Sequence, residues 1–119
     1  MPDKVYRTAI YCRLSREDGD KVESNSIASQ RAICEDYIAS HDDLELVCEP
    51  FVEDGYSGVS FNRPQYKKLE EAIRKGAIDC IVVKDLSRFS RNYIDGGRYI
   101  EKIFPQLGIR FIAINDAYD

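Results

Sequence analysis

Residues 5–12 read VYRTAIYC, a stretch rich in β-branched and aromatic residues in which Arg7 is the only charged side chain. Residues of these types favour extended backbone, and a short, mostly apolar run is typical of a strand buried inside a sheet. Residues 5–12 are therefore predicted to form a buried first strand. Further apolar runs predict strands at residues 44–52, 78–83 and 109–114.

Helices are predicted between these strands, over residues 27–40, 64–75 and 93–107. Ser26 suits the N-cap of the first helix, Pro64 suits the first turn of the second, and Gly76 suits its end. Strands and helices then alternate along the chain, which indicates parallel strands joined by crossover helices. The predicted fold class is α/β, with an open, mainly parallel β-sheet and helices on both faces.

Size and composition predict one folded domain spanning residues 1–119. The chain is 44% hydrophobic and 32% charged, as is typical of folded proteins and not of disordered ones. No apolar run approaches the ~20 residues that cross a bilayer, and the N-terminus lacks the apolar core of a signal peptide. We therefore expect a cytoplasmic protein with no membrane partner.

Metal and nucleotide cofactors are not expected. The sequence has no G-x-x-x-x-G-K-[ST] and no G-x-G-x-x-G motif, and its four cysteines include no C-x-x-C pair. His41 is the only histidine, so neither a zinc site nor a Ser-His-Asp triad is indicated. The cysteines are predicted to be small buried apolar residues.

Charge is distributed unevenly along the chain. The formal net charge is −4, but residues 1–60 carry 6 basic and 13 acidic side chains whereas residues 61–119 carry 11 basic and 8 acidic ones. A polyanion would therefore meet mainly the second half. This balance fits a local site for a phosphodiester better than a surface that grips DNA, and we expect this chain alone to bind DNA weakly.

The end of the first predicted strand carries Tyr11-x-Arg13-x-Ser15. Side chains two residues apart on a strand point the same way, so these three are expected on one side. A guanidinium group binds phosphate oxygens bidentately and stays charged, so a serine beside it suits attack on a phosphate. Taken alone, the pattern also fits a strand end with a capping serine.

Two more polar segments follow the next predicted strands. Residues 53–64 read EDGYSGVSFNRP, with Asp54 and Arg63, and residues 84–92 read KDLSRFSRN, with Arg88 and Arg91 three apart. Either segment alone also fits a solvated surface loop. Because the carboxyl ends of parallel strands share one edge, the three segments together favour a single site there.

These segments, in this order, resemble the catalytic domain of the serine recombinases, the resolvase/invertase family. The amino-acid sequence of these segments is most similar to that of the large serine recombinases of mobile elements. The matching pieces are YCRLS at 11–15, Ser26-x-x-x-Gln30-Arg31, EDGYSG at 53–58, Arg63-Pro64 and SRFSRN at 87–92.

The resemblance implies a site-specific DNA recombinase that cleaves DNA through a covalent 5′-phosphoserine intermediate, followed by strand exchange and religation. Ser15 would be the nucleophile. The residues implied to bind the scissile phosphate are Arg13, Arg63, Arg88 and Arg91, and those implied to support them are Tyr11, Gln30, Asp54 and Ser87. Such a DNA strand-transferase needs neither metal nor ATP, because arginines stabilise the phosphate and the covalent link conserves the bond energy.

The resemblance also implies a homo-oligomer, a dimer and then a synaptic tetramer, in a full-length protein whose DNA-binding region lies outside residues 1–119. The sequence departs from the family pattern at two positions. Ser87 stands where small resolvases typically carry aspartate, and Ala72 stands where they often carry lysine. These departures leave open which group deprotonates Ser15.

Two other interpretations remain open at this level. The chain is alternatively a non-catalytic relative retained for dimerisation or regulation. The presence of the full set of Tyr11, Arg13, Ser15, Arg88 and Arg91 argues against a loss of catalytic activity. The chain is alternatively a receiver-like signalling domain of similar topology, in which an aspartate at a strand end accepts a phosphoryl group. The corresponding strand here ends at Lys84-Asp85.

Overall fold

The first strand lies at the centre of a parallel sheet. The computed structural model describes residues 4–14, 26–54, 64–89 and 97–119. The strands are β1 (Tyr6–Leu14), β2 (Leu44–Leu46), β3 (Phe51–Asp54), β4 (Cys80–Val83) and β5 (Arg110–Ala113). The helices are α1 (Ile27–Ala39), α2 (Pro64–Arg74), α3 (Leu86–Phe89) and α4 (Phe104–Leu107), with a π-helical segment at Tyr99–Ile103 and a 3₁₀ turn at Ile114–Asp116.

All of these strand pairings are parallel. The order across the sheet is β2, β1, β4 and β5, and β3 also pairs with β1. Six consecutive β1 residues, 8–13, are buried, and the apolar side chains of residues 9–12 fit a strand that is covered on both faces. The predicted α/β class with a parallel sheet is confirmed.

Alternate β1 residues enter two separate cores, one on each face of the sheet. Ala9 and Tyr11 pack with α2, α3 and α4, whereas Ile10 and Cys12 pack with α1. The sheet is therefore covered on both faces, as predicted. No helix within the described residues is long and apolar enough to cross a bilayer.

The predicted strand at residues 44–52 is interrupted. Tyr6 lies opposite Leu44 and Tyr11 lies opposite Phe51, so the edge strand contains two more residues than β1 between these pairs. Only four residues separate β2 from β3, so the two form consecutive parts of one strand along β1. The interruption includes Pro50, which has no N–H to donate to a strand ladder.

The predicted helix ends are largely confirmed. Ser26 Oγ accepts a hydrogen bond from the Ser29 N–H at 3.1 Å, so Ser26 caps α1. Helix α2 begins at Pro64 and ends at Arg74, and Gly76 follows with φ of 78°, a conformation that favours glycine.

The third predicted helix is only partly confirmed. Residues 93–96 lie outside the described residues, and the continuation is π-helical before α4 begins. Pro105 lacks the N–H that would pair with the carbonyl of residue 101, so regular α-helical hydrogen bonding is impossible there. Gly108, with φ of 73°, ends α4.

Cysteine reactivity tests this packing. Burial raises the pKa of Cys12 and Cys80 to about 12 and also raises the pKa of Cys34. Cys48 is only partly buried, and partial burial raises its pKa as well. The thiolate is the nucleophile, so we expect one thiol to react with an aromatic disulfide reagent at pH 8 in the native protein and four in urea. Cys48→Ser should remove the native reaction, and rapid labelling of several thiols before unfolding would contradict the described cores.

Candidate active site at the carboxyl ends of β1 and β4

The carboxyl ends of β1 and β3 lie side by side. The pairing places Arg13 opposite Glu53 and Leu14 opposite Asp54, and β4 runs parallel on the other side of β1. The segments that follow these strands therefore start at one edge of the sheet, as predicted. Ser15, Arg63 and Arg91 lie outside the described residues, so their predicted roles stay predictions.

Arg13 is fully buried, with 0% of its surface exposed. Its guanidinium group donates from Nη2 to the Ser87 carbonyl at 2.6 Å and from Nε to the Arg88 carbonyl at 3.3 Å. These contacts join the end of β1 to α3, a single helical turn that lies more than 70 residues away in sequence. The Arg13 side chain therefore holds the α3 backbone against the end of β1, and it also carries a positive charge.

Arg88 makes the reciprocal contact and is 2% exposed. Its Nη1 donates to the Arg13 carbonyl at 2.8 Å, and its Nε and Nη2 lie 3.4 and 3.3 Å from Ser87 Oγ. Asp85 Oδ1 lies 3.7 Å from Nε. The structure thus brings two of the predicted phosphate-binding arginines together, in a pair where each guanidinium group reaches the backbone carbonyl of the other residue.

Gln30 holds the same part of β1 from helix α1. Its Oε1 accepts from the Arg13 N–H at 3.0 Å and its Nε2 donates to the Arg13 carbonyl at 2.9 Å. The side chain is fully buried. The pairing of β1 with β4 ends at Ile10. At Arg13, the Gln30 side chain supplies the hydrogen-bond donor and acceptor that a neighbouring strand would otherwise supply.

The other predicted supporting residues have different surroundings. Tyr11 is a core residue, packed edge-to-face against Tyr66 with ring centroids 6.0 Å apart, on the same face as Arg13. Ser87 donates its hydroxyl hydrogen to Asp85 Oδ1, and its carbonyl accepts from Arg13. Asp54 is described in its backbone alone, as the last residue of β3.

Three acidic residues at this edge were not predicted as part of the site. Glu53 is 1% exposed, and its Oε1 accepts from the Tyr66 N–H at 2.8 Å, which caps α2. Asp85 Oδ1 accepts from the Arg88 N–H at 3.2 Å, and Asp116 Oδ2 accepts from the Leu86 N–H at 2.7 Å. Of these three residues, Asp85 could have been predicted from the local sequence, since aspartate is a favoured N-cap residue.

Buried charge of both signs lies at this edge, since Glu53 pairs with Arg13 across the strands and Asp85 lies 3.7 Å from the Arg88 guanidinium group. Two guanidinium groups are held out of water, where charge acts more strongly than at a solvated surface. Within the described parts of the chain, no group of three or more His, Cys, Asp and Glu side chains is arranged to hold a metal ion. The arrangement suits stabilisation of negative charge at the end of β1.

Comparison with known sequences gives a family match over most of the chain. The sequence model described as "Resolvase, N terminal domain" matches residues 8–119. A Bacillus subtilis (strain 168) protein named "Putative DNA recombinase" is 31% identical over 110 residues. That match covers 92% of this chain but 21% of the relative, so the chain spans about a fifth of the relative's length.

Solved structures show the same fold. The N-terminal catalytic domain of TP901-1 integrase superposes with a TM-score of 0.79 at 28% identity, over 93% of this chain and 78% of that one. A resolvase family site-specific recombinase from Streptococcus pneumoniae superposes with a TM-score of 0.75 at 26% identity, over 96% and 75% of the two chains.

The contacts of Gln30 yield a stability prediction. Gln30→Leu keeps a similar volume but removes the side-chain acceptor of the buried Arg13 N–H and a side-chain donor to the Arg13 carbonyl. We expect a loss of about 2 kcal/mol in the free energy of unfolding, since buried polar groups without partners are destabilising. Urea denaturation followed by circular dichroism measures it. Gln106→Leu, at an exposed position, is the matched control, and equal effects of the two substitutions would contradict the prediction.

Proposed function

This chain belongs to the resolvase family, and on that basis we propose that it is the catalytic domain of a site-specific DNA recombinase with Ser15 as its nucleophile. The proposed catalytic domain spans residues 1–119. Family membership argues against the receiver-like interpretation, because the matched family is defined by a different domain. A non-catalytic relative remains the alternative that the experiment below separates.

The observation that carries the proposal is the buried pair of Arg13 and Arg88. Ser15 comes two residues after Arg13 in sequence, directly after the end of β1. A phosphodiester at this strand end would meet guanidinium charge that is already fixed by hydrogen bonds to backbone. Charge that is preorganised in this way stabilises a developing negative charge without reorganisation during the reaction.

The proposed reaction exchanges one phosphodiester for another. Ser15 Oγ attacks phosphorus, a new P–O bond forms to the serine, and the bond to the 3′ oxygen breaks with its electron pair on that oxygen. The proton lost by Ser15 is balanced by the proton gained by the 3′ oxygen. The products are a 5′-phosphoserine and a free 3′-hydroxyl, and the reverse reaction on a new partner strand completes strand exchange and religation.

The arginines divide into two groups in this proposal. Arg13 and Arg88 act as buried positive charge that also fixes the end of β1 against α3. In this proposal Arg63 and Arg91, which follow β3 and α3 in sequence, contact the phosphate oxygens. Tyr11, Gln30, Asp54 and Ser87 support this arrangement, and catalysis of phosphoryl transfer then consists largely of positioning and charge stabilisation.

DNA is the proposed partner, and the full-length protein acts as a homo-oligomer in the cytoplasm, as a dimer and then a synaptic tetramer. Recombination joins strands from two sites, which requires several active sites in one assembly. The chain's net charge of −4 argues for weak DNA binding by this domain alone. Site-specific contacts then come from another region of the full-length protein.

Covalent capture tests the nucleophile. The full-length protein is incubated with fragmented DNA from its host, quenched with detergent, and the DNA-linked protein is isolated. We expect an adduct from the wild type, none from Ser15→Ala, and slow formation by Ser15→Cys, since a thiolate is also a nucleophile. Mass spectrometry of the linked peptide identifies the residue.

Ser40→Ala is the matched control, because Ser40 is an exposed serine at the end of α1. It should form the adduct at the wild-type rate. A phosphorylated peptide containing Ser57, Ser87 or Ser90 in place of Ser15 would contradict the assignment. Absence of any adduct from the wild type would favour the non-catalytic alternative.

The same assay tests the dependence on metal and ATP. Because arginines supply the positive charge in this proposal, we expect the cleavage rate to stay within about twofold in excess EDTA and without nucleotide. Any structural zinc in other regions of the full-length protein is controlled by measuring DNA binding under the same conditions. A loss of cleavage that Mg²⁺ restores, with DNA binding unchanged, would show the arginine-only proposal to be wrong.

A further inference from the structure

Helix α3 is one turn long, and a helix of four residues has no stability of its own in water. It nevertheless carries Ser87 and Arg88, which make the contacts with Arg13. Its position must therefore be set by tertiary contacts at both of its ends.

The carboxyl end of α3 is anchored in the core. Phe89 is fully buried, and its ring centroid lies 5.0 Å from that of Phe111, 5.6 Å from that of Phe104 and 5.7 Å from that of Tyr66. Aromatic packing of this kind holds the carboxyl end of α3 but does not fix the position of the first residue of the helix.

The amino end of α3 is held by two carboxylates. Asp85, the residue before the helix, accepts from the Arg88 N–H. Asp116 accepts from the Leu86 N–H at 2.7 Å, from a position 30 residues further along the chain. A backbone hydrogen bond from the Asn115 N–H to the Lys84 carbonyl, at 2.8 Å, joins the same two segments.

The turn that carries Asp116 is itself closed. The N–H and carbonyl groups of Ala113 and Tyr118 pair with each other at 2.9 and 3.2 Å. Between them, Ala117 has φ of 51°, in the left-handed region that non-glycine residues rarely adopt. The carboxylate of Asp116 is thus presented to α3 by a turn of defined shape that directly follows β5.

We propose that Asp116 is a positioning residue for the pair of Arg13 and Arg88. By fixing the Leu86 N–H, it sets where α3 begins, and hence where the Ser87 carbonyl receives Arg13 and where Arg88 reaches the Arg13 carbonyl. Its consequence for DNA cleavage rests on the proposed function, whereas its effect on the two arginines does not.

Nuclear magnetic resonance on the 119-residue chain tests the positioning directly. We expect Asp116→Ala to speed hydrogen exchange of the Leu86 amide and of the Arg13 and Arg88 Nε–H groups by about fivefold, as expected for loss of a capping interaction. Asp116→Asn should restore near wild-type exchange, because its side-chain oxygen can still accept from Leu86.

Asp119→Ala is the matched control. Asp119 belongs to the same segment, but its carboxylate binds Arg110 at 2.6 and 2.8 Å. We expect it to leave exchange of the two arginine groups unchanged. Unchanged exchange in Asp116→Ala, or equal changes in Asp116→Ala and Asp119→Ala, would overturn the proposal.

Cleavage by the full-length protein gives the second measurement. Asp116→Ala should slow adduct formation about fivefold with no change in DNA affinity, and Asp116→Asn should recover the rate. A wild type that forms no adduct would refute the proposed function while the exchange data still decide the role of Asp116. Faster arginine exchange together with an unchanged cleavage rate would overturn its role in the reaction.

Discussion

The guanidinium groups of Arg13 and Arg88 lie almost wholly out of water, and each donates to the backbone carbonyl of the other residue. Removing a charged group from water is expensive unless hydrogen bonds replace the lost hydration. The contacts between Arg13 and Arg88 meet that requirement only if β1 and α3 keep their relative position. Gln30 adds the same constraint from α1, so three elements are held together at the edge where the predicted site residues begin.

This constraint explains how an acidic chain can hold positive charge at one point of its fold. Exposed charges are screened by salt over about 8–10 Å, so a net charge of −4 spread over the surface acts weakly at any one point. A buried guanidinium group is screened much less and acts strongly on a group that comes close to it. The total charge of the chain is therefore a poor guide to the electrostatic potential at this strand end.

Local features of the fold were predictable from the sequence, and long-range ones were not. The cap at Ser26 and the start of α2 at Pro64 depend on neighbouring residues, so their patterns predicted them. The contact between Glu53 and Tyr66 joins residues 13 apart and that between Asp116 and Leu86 joins residues 30 apart, so no local pattern reveals them. Motif order indicated that Arg13 and Arg88 share a site, but their burial and exchange of backbone contacts required the three-dimensional arrangement.

The interruption between β2 and β3 has a consequence for how this fold tolerates changes in chain length. Leu44 and Val52 both pack on the α1 face, while Phe51 packs on the other, and Cys48 within the interruption also packs on the other face. A one-residue slip of β3 along β1 would turn every β3 side chain to the opposite face and point Glu53 away from α2. Changes of chain length at 47–50 are therefore compatible with the site only where this irregular segment absorbs them and the register of β3 on β1 is kept.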